Sequence, residues 1–585
     1  MTEVRTSKGW DVAILGTGIG GTILGAILAK HGLKVLLLEQ SAHPRFAIGE
    51  STVPETTFLF RVLAERYGVP EIGYLSTHQL VRRHVASSCG IKRNFSFVYQ
   101  RPNEPQRPHE TTQFPTFAPP FGPDMHMYRQ DVDAYMLNVA VSYGAAVRQK
   151  VDVTDVSFSS DGVLLQTNAG EEIQARFVVD AGGLKSMLAR KLGLRQEPCP
   201  LKTRSRTLYT HMVGVRPYDA CIADRSAHGL PSPLSQGTLH HIFDRGWMWV
   251  IPFDNYPLST NRLVSVGLQF DLDRHPREAG LSPEDEFRRF IRTYPSLAMQ
   301  FEHATAIQPW AATDRLQFSS TRSVGDRFAM LPHAFGFVDP LFSSGLGITM
   351  AAINVLGARI IKAAADDDFS AARFEDVDTL VKRGLSYYDR LVSGSYVAFS
   401  NFELWNAWYR LWMIGTVFGT LGVMEVLHRL EQNKHLDAAS ICEQYPYRGV
   451  QACELMEFAE LFSAGEKEVD KVREGTQSPE AAAANIFRAV NESGLWPWGT
   501  ALAERRHPGG FTLWPTLKTG LWVRYRAPAN IREHYFASAK LPSLLGYVFE
   551  DWYDELQHSS KGVLSLSRDL VANWNRDWAA QRPSH

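Results

Sequence analysis

Between Trp10 and Glu39 the chain reads as strand, glycine turn, helix and strand: WDVAIL, then Gly16, Gly18 and Gly21, then TILGAILAKHG, then KVLLLE. This βαβ unit limits the fold more than any other feature, because parallel strands joined by a helix commit the chain to an open α/β sheet. The glycines are spaced G-x-G-x-x-G, and their missing side chains let backbone N–H groups and a helix N-terminus approach a pyrophosphate. Glu39 ends the second strand, 21 residues past Gly18, where a carboxylate accepts hydrogen bonds from a ribose diol. A tight turn beside a surface glutamate is the plain alternative, but the flanking strand and helix favour a dinucleotide site. FAD and NAD are both open on these residues alone.

Composition narrows the partner. Lys and Arg number 61 against 62 Asp and Glu, a net charge of -1, so no overall field draws the chain to nucleic acid or an anionic membrane. A small, near-neutral partner is expected. The five cysteines, Cys89, Cys199, Cys221, Cys442 and Cys453, form no CxxC pair, which argues against zinc or a redox dithiol and fits a reducing cytoplasm. No metal site is expected. The N-terminus runs into the first strand without the cationic and apolar regions of a signal peptide. The longest apolar run, Leu411 to Met424, has 14 residues, fewer than the ~18 of a spanning helix, so a buried helix and no transmembrane segment are expected.

The pattern changes along the chain. From about Ser87 to Phe270, short alternating segments such as NFSFVYQ, GVLLQTN and RLVSVGLQF predict strands of a second, mostly antiparallel sheet. After Phe335, GITMAAINVLGARIIKAAA predicts a long helix that closes the nucleotide-binding core. Beyond about residue 390 helical patterns dominate, and ten of the 14 tryptophans lie there, which predicts a packed domain. Residues 1–390 are therefore expected to form a Rossmann-like α/β domain with the second sheet interleaved at about 87–127 and 195–315, and residues 391–585 a helical domain. Trp405, Trp408 and Trp412 fall at i, i+3 and i+7 of a helix, the spacing of a core stripe.

Three further segments carry a resemblance. YRQDVDAYML supplies Arg129 with Asp133 and Leu137, RFVVDAGGLKSMLARKLGL supplies Asp180 and Gly182, and GFVDPLFSSGLG spans residues 336 to 347 with Asp339, Ser343, Ser344 and Gly345. With the glycine turn they resemble the glutathione-reductase-type flavoproteins over the first 390 residues, which implies FAD over NAD. The last segment also has its own physics: Ser343, Ser344 and Gly345 precede a helix, where exposed N–H groups and the positive dipole end hold an anion, although an ordinary N-cap has the same look.

Trp247-Met248-Trp249-Val250-Ile251-Pro252 resembles the W-x-W-x-I-P motif of the flavin-dependent halogenases at every defined position. The resemblance implies that Trp247, Trp249, Ile251, Pro252 and Phe342 separate substrate from flavin. On periodicity alone the two indoles share one strand face and pack in a core. Gly49, Glu50 and Ser51 of GESTVP are shared too, and are implied to lie beside the isoalloxazine, with Arg45 on the cofactor side. Lys92 in GIKRNFSFVY aligns with the lysine these enzymes use to position or capture hypohalous acid. It is expected to start the strand whose Phe95, Phe97 and Tyr99 alternate into the substrate sheet, although a lone lysine is ordinarily a surface charge.

The resemblance implies a halogenating monooxygenase. FADH2 from a separate flavin reductase activates O2 near Gly345, chloride held by Ser343, Ser344 and Gly345 is oxidised to HOCl, and Lys92 directs HOCl at a free or carrier-protein-bound substrate. Two departures stand out. Pro332-His333-Ala334 replaces the usual Gly-Asp-Ala, and Phe342 stands where tryptophan-chlorinating members carry a glutamate, which points to a phenolic or pyrrolic substrate. The alternatives are an NAD(P)H-dependent aromatic hydroxylase of the same fold, against which the WxWxIP match argues, and a non-catalytic flavin-binding protein.

Overall fold

The computed structural model describes residues 9–115, 124–222, 230, 232–256, 258–432, 450–451, 454–495, 521–523 and 525–535. Cys442 and Cys453 lie outside the described residues, as does much of the 391–585 segment. Trp10–Leu15 and Val35–Glu39 are parallel neighbours in an eight-stranded sheet, with the helix Ile19–Lys30 between them in sequence. Val12, Ala13 and Ile14 are buried without interruption, as a strand covered on both faces requires. Trp10–Leu15 also pairs in parallel with Glu172–Asp180, which pairs in parallel with Phe328–Met330. Leu15, Asp180 and Met330 thus lie in register at one end of three adjacent strands, where an α/β sheet of this kind binds its ligand.

The second sheet also has eight strands, and its central run is Ser205–Val213, Val264–Asp271, Gly246–Pro252, Thr238–Phe243, Asn94–Tyr99 and Thr111–Pro115. It is antiparallel except that Thr238–Phe243 runs parallel to Asn94–Tyr99. Its two faces belong to different cores. Met248, Val250 and Leu268 join a cluster with Phe287, Ile291 and Leu297, whereas Trp247, Trp249, Ile251, Phe95 and Phe97 join the large cluster that contains the nucleotide-binding sheet. The period of two along Gly246–Pro252 therefore aims the two indoles at the first domain.

Lys92 departs from expectation in one respect. It ends a separate short strand, Gly90–Lys92, which pairs only with Asp124–His126 in a two-stranded ribbon, and Arg93 separates it from the strand bearing Phe95. The division expected at residue 390 falls inside a continuous helix, Glu375–Ala398, and the next helix, Phe402–Gln432, has 31 residues. The apolar run Leu411–Met424 is only the middle of that helix. Gly345–Asp366 and Phe402–Gln432 are both long and apolar enough to cross a membrane by length and composition, and 61% and 83% of their most apolar windows are buried inside the protein. The second of these we call the roof helix, because it lies over the first-domain face of the second sheet.

Candidate active site

The glycine turn has the shape a pyrophosphate needs. Gly16 has φ +105°, a region that side chains avoid, and a Cβ there would stand 2.8 Å from the carbonyl oxygen of Ala181. A Cβ on Gly21 would stand 2.2 Å from the carbonyl oxygen of Gly16. Gly18 is the N-cap of Ile19–Lys30 and offers no side-chain cap, so the helix's first N–H groups face outward for a ligand. Glu39 accepts hydrogen bonds from the N–H and hydroxyl of Thr17 and the N–H of Ser41. Burial pushes its carboxyl up, but these donors together with Arg45, 3.5 Å away, hold it below the ordinary range and therefore ionised.

A basic edge continues from this turn. Arg129 forms a two-pronged pair with Asp133 at 2.8 and 3.0 Å and donates to the carbonyls of Ile48 and Gly49, so it holds the GESTVP loop to its helix. Arg45 lies within 3.1 Å of the space above Gly18. Asp180 is completely buried, and its oxygens accept from Gly182 N, Ser186 Oγ and Leu188 N. These bonds shape the loop after its strand. Asp339 likewise accepts from Ser205 Oγ, Tyr396 Oη and Leu341 N, and burial raises its carboxyl to about 7. This aspartate ties the serine loop to the second sheet and to the helix Glu375–Ala398.

Ser343 adopts a left-handed φ of +53°, and Ser344, the N-cap of Gly345–Asp366, makes no side-chain cap. An ordinary serine N-cap is thereby ruled out at this helix, and its first amides remain for an anion. His333, which replaces the usual aspartate, hydrogen-bonds Thr349 through Nδ1 at 3.2 Å. A Cβ on Gly345 would meet its Nε2 at 2.7 Å. Burial, reinforced by Arg129, lowers its proton affinity to about 4, so a neutral imidazole stands at this edge in place of an anion. The glycine cradle, the ionised Glu39 and the two uncapped helix starts fit the diol, phosphates and flavin of FAD.

On the far side, Lys92 is completely buried. Its ammonium donates to Ser51 Oγ at 2.8 Å and to the carbonyl of Thr52, and lies 4.4 Å from the Phe95 ring centroid. Ser51 Oγ is 2.8 Å from Thr238 Oγ1, which is 2.9 Å from His126 Nε2, and His126 Nδ1 is 2.8 Å from the carbonyl of Pro252. Because a carbonyl only accepts, Nδ1 carries the proton, Nε2 accepts from Thr238, and every hydroxyl in the chain points away from Lys92. Burial lowers His126 to about 3, which keeps it neutral as this chain requires. Lys92 is thus fastened both to GESTVP and to WxWxIP.

Trp247 and Trp249 have centroids 5.6 Å apart and are tilted 46°, and the Trp249 N–H donates to Ser265 Oγ at 3.2 Å. Trp247 lies 5.5 Å from His240, which stacks at 4.5 Å on Phe97. The tryptophan stripe divides. Trp405 meets Phe97 at 4.7 Å, and Trp412 meets Phe95 at 5.1 Å and Phe342 at 5.2 Å, with Tyr409 between them. Trp408 turns the other way and donates to Leu391 O. Phe342 is therefore part of an aromatic cluster beneath the roof helix. Asp124, Thr57, His126 and Thr238 were not singled out from the sequence; the only signal was DMH, an alternating Asp-x-His just ahead of Arg129.

The family model described as tryptophan halogenase matches residues 103–398, and one described as an NAD(P)-binding Rossmann-like domain matches residues 14–66. Monodechloroaminopyrrolnitrin halogenase PrnC of Pseudomonas fluorescens is 42% identical over 93% of this chain and 96% of its own length. Tetracycline 7-halogenase of Kitasatospora aureofaciens is 40% identical over 91% of this chain and 96% of its own. The crystal structure of halogenase PltM in complex with phloroglucinol and FAD superposes with a TM-score of 0.82 at 36% identity, over 85% of this chain and 99% of that one. This chain belongs to the tryptophan halogenase family of flavin-dependent halogenases.

Proposed function

We propose that the enzyme uses FADH2, O2 and chloride to chlorinate a free phenolic or pyrrolic molecule, with the reduced flavin supplied in the cytoplasm by a separate reductase. When bound, FADH2 supplies the electrons with which O2 and chloride become HOCl. Gly16, Gly18, Gly21, Glu39, Arg45 and Arg129 hold the cofactor on the nucleotide-binding side, and Asp180 and Asp339 shape the loops around it. The uncapped turn at Ser343, Ser344 and Gly345 holds chloride. Trp247 and Trp249 keep the substrate away from the flavin.

The observation that carries this reading is Lys92, a buried ammonium set against an aromatic cluster. Its neighbours orient its N–H bonds, and a positive donor beside HOCl draws electron density from the Cl–O bond. Phe95, Phe97, Phe342 and Trp412 give the apolar aromatic surface on which a substrate ring would stack. Phe342 puts no charge there, so ring activation falls to the substrate's own hydroxyl or nitrogen. The two relatives that span nearly all of the chain are named for monodechloroaminopyrrolnitrin and tetracycline. Two relatives named for a carrier-bound pyrrole are 25% and 23% identical over 70% and 61% of the chain, which supports an untethered substrate here.

The test combines purified protein, FAD, a flavin reductase, NADH and chloride with a panel of phenols and pyrroles that includes phloroglucinol, and with free tryptophan in competition. A product heavier by one chlorine is expected from the panel. Lys92→Ala should still consume reduced flavin while chlorinated product falls below detection. A hydroxylated product, or efficient chlorination of tryptophan alone, overturns the reading.

A further inference from the structure

The proton released by chlorination finds no carboxylate at the Phe342 position. A buried carboxylate stands elsewhere. Asp124 is 2% exposed and is the direct cross-strand partner of Lys92 in the two-stranded ribbon, so the two side chains share one face. Thr57 Oγ1 donates to Asp124 Oδ1 at 2.6 Å. Oδ2 is buried with no hydrogen-bond partner among the described residues. An unpaired buried acceptor costs its desolvation, so this oxygen is open to a proton.

We propose that Asp124 takes the proton released by aromatic chlorination and returns it to Lys92, so that the two residues work as an acid–base pair. This deepens the proposed function and rests on it. As the ring carbon–chlorine bond forms, the Cl–O bond of HOCl breaks. Lys92 gives one ammonium proton to the departing hydroxide, which leaves as water. The proton displaced from the ring carbon passes to Oδ2 of Asp124, and from there to the neutral Lys92 amine. HOCl and Ar–H become Ar–Cl and water, the carbon is oxidised as chlorine is reduced, and both side chains end as they began.

The electrostatics favour this exchange. Burial lowers the proton affinity of Lys92 and raises that of Asp124, with each charge partly opposing the other's shift, so the two converge toward neutrality. A proton moves between them at little cost. The other nearby bases serve poorly. Both ring nitrogens of His126 are engaged, and burial, with Lys92 beside it, lowers His240 to about 3.

Asp124→Asn keeps the shape and the Thr57 contact but cannot take a proton. Its flavin occupancy and rate of reduced-flavin consumption should match wild type. Chloro-phenol formed per flavin oxidised should fall at least ~100-fold, the scale of a lost general base, and HOCl should escape to a chlorinatable scavenger. Asp124→Glu should recover part of the yield. In wild type the yield per flavin should decline on the acid side down to about pH 5, as the carboxylate is protonated, and Asp124→Asn should have no such decline. Product within a few-fold of wild type in Asp124→Asn, or a wild-type yield flat across that range, overturns the pairing. If wild type chlorinates nothing in the panel, the proposed function falls and the pairing with it; if wild type chlorinates and Asp124→Asn does so equally, only the pairing falls.

Discussion

At the scale of single residues, the chain from Lys92 through Ser51, Thr238 and His126 to Pro252 has one direction. Reversing any link would face a carbonyl with an acceptor or leave a buried hydroxyl unpaired. Thr238→Val should break it in the middle and lower chlorinated product per flavin about tenfold, the effect of roughly one buried hydrogen bond, with flavin occupancy unchanged; occupancy by absorbance and product by mass check both. Gly18→Val is expected to do the reverse. Its side chain would press on Arg45 and fill the phosphate path, so purified protein should lack flavin absorbance. The glycines were legible in the sequence because a backbone geometry excludes every other residue. Asp124 and His126 were not, because their role depends on contacts such as Ser51 to Thr238, which joins residues 187 apart.

At the scale of elements, the roof helix covers the aromatic face of the second sheet. Its Trp405, Tyr409 and Trp412 pack on Phe95, Phe97 and Phe342, and Trp412→Ala removes the ring that touches both Phe95 and Phe342. KM for a phenolic substrate should rise about tenfold, as expected for losing one to two kcal/mol of stacking, while reduced flavin is consumed as before. Farther along the same helix, Glu55 is buried against it: a Cβ on Gly419 would meet its Oε2 at 2.8 Å, and Gln451 N–H is 3.4 Å away. Burial raises this carboxyl from 4.5 to about 8. Its stabilisation is fully present below the unfolded value and is lost as pH rises through about 8. Glu55→Gln should therefore melt higher than wild type on the alkaline side and show a flatter Tm against pH. The sequence predicted the helix and its stripe, but i, i+3 and i+7 spacing does not say what lies opposite each ring, which Phe95, Phe97 and Phe342 decide.

At the scale of the whole molecule, the segments before and after residue 390 share a core among the described residues. A single hydrophobic cluster runs from Val12 to Tyr535, Tyr99 Oη donates to Phe399 O across 300 residues, and Asp389 receives the N–H groups of Lys202 and Thr203. A chain ended at Asn401 should fail to fold to a soluble flavoprotein, and the full chain should unfold in one calorimetric transition. The change of pattern near residue 390 does not interrupt this shared cluster among the described residues. Composition registers which residues are helical, not what they are packed against.

The placement of the roof helix also has a meaning in time. Translation completes the nucleotide turn, the serine loop, Lys92 and both indoles before residue 402 is made. All of them are thus encoded ahead of the helix that covers Phe95, Phe97 and Phe342. A chain stopped short of residue 402 would lack the cover that Trp405, Tyr409 and Trp412 give those three rings, an apolar surface that the later segment alone can take out of water.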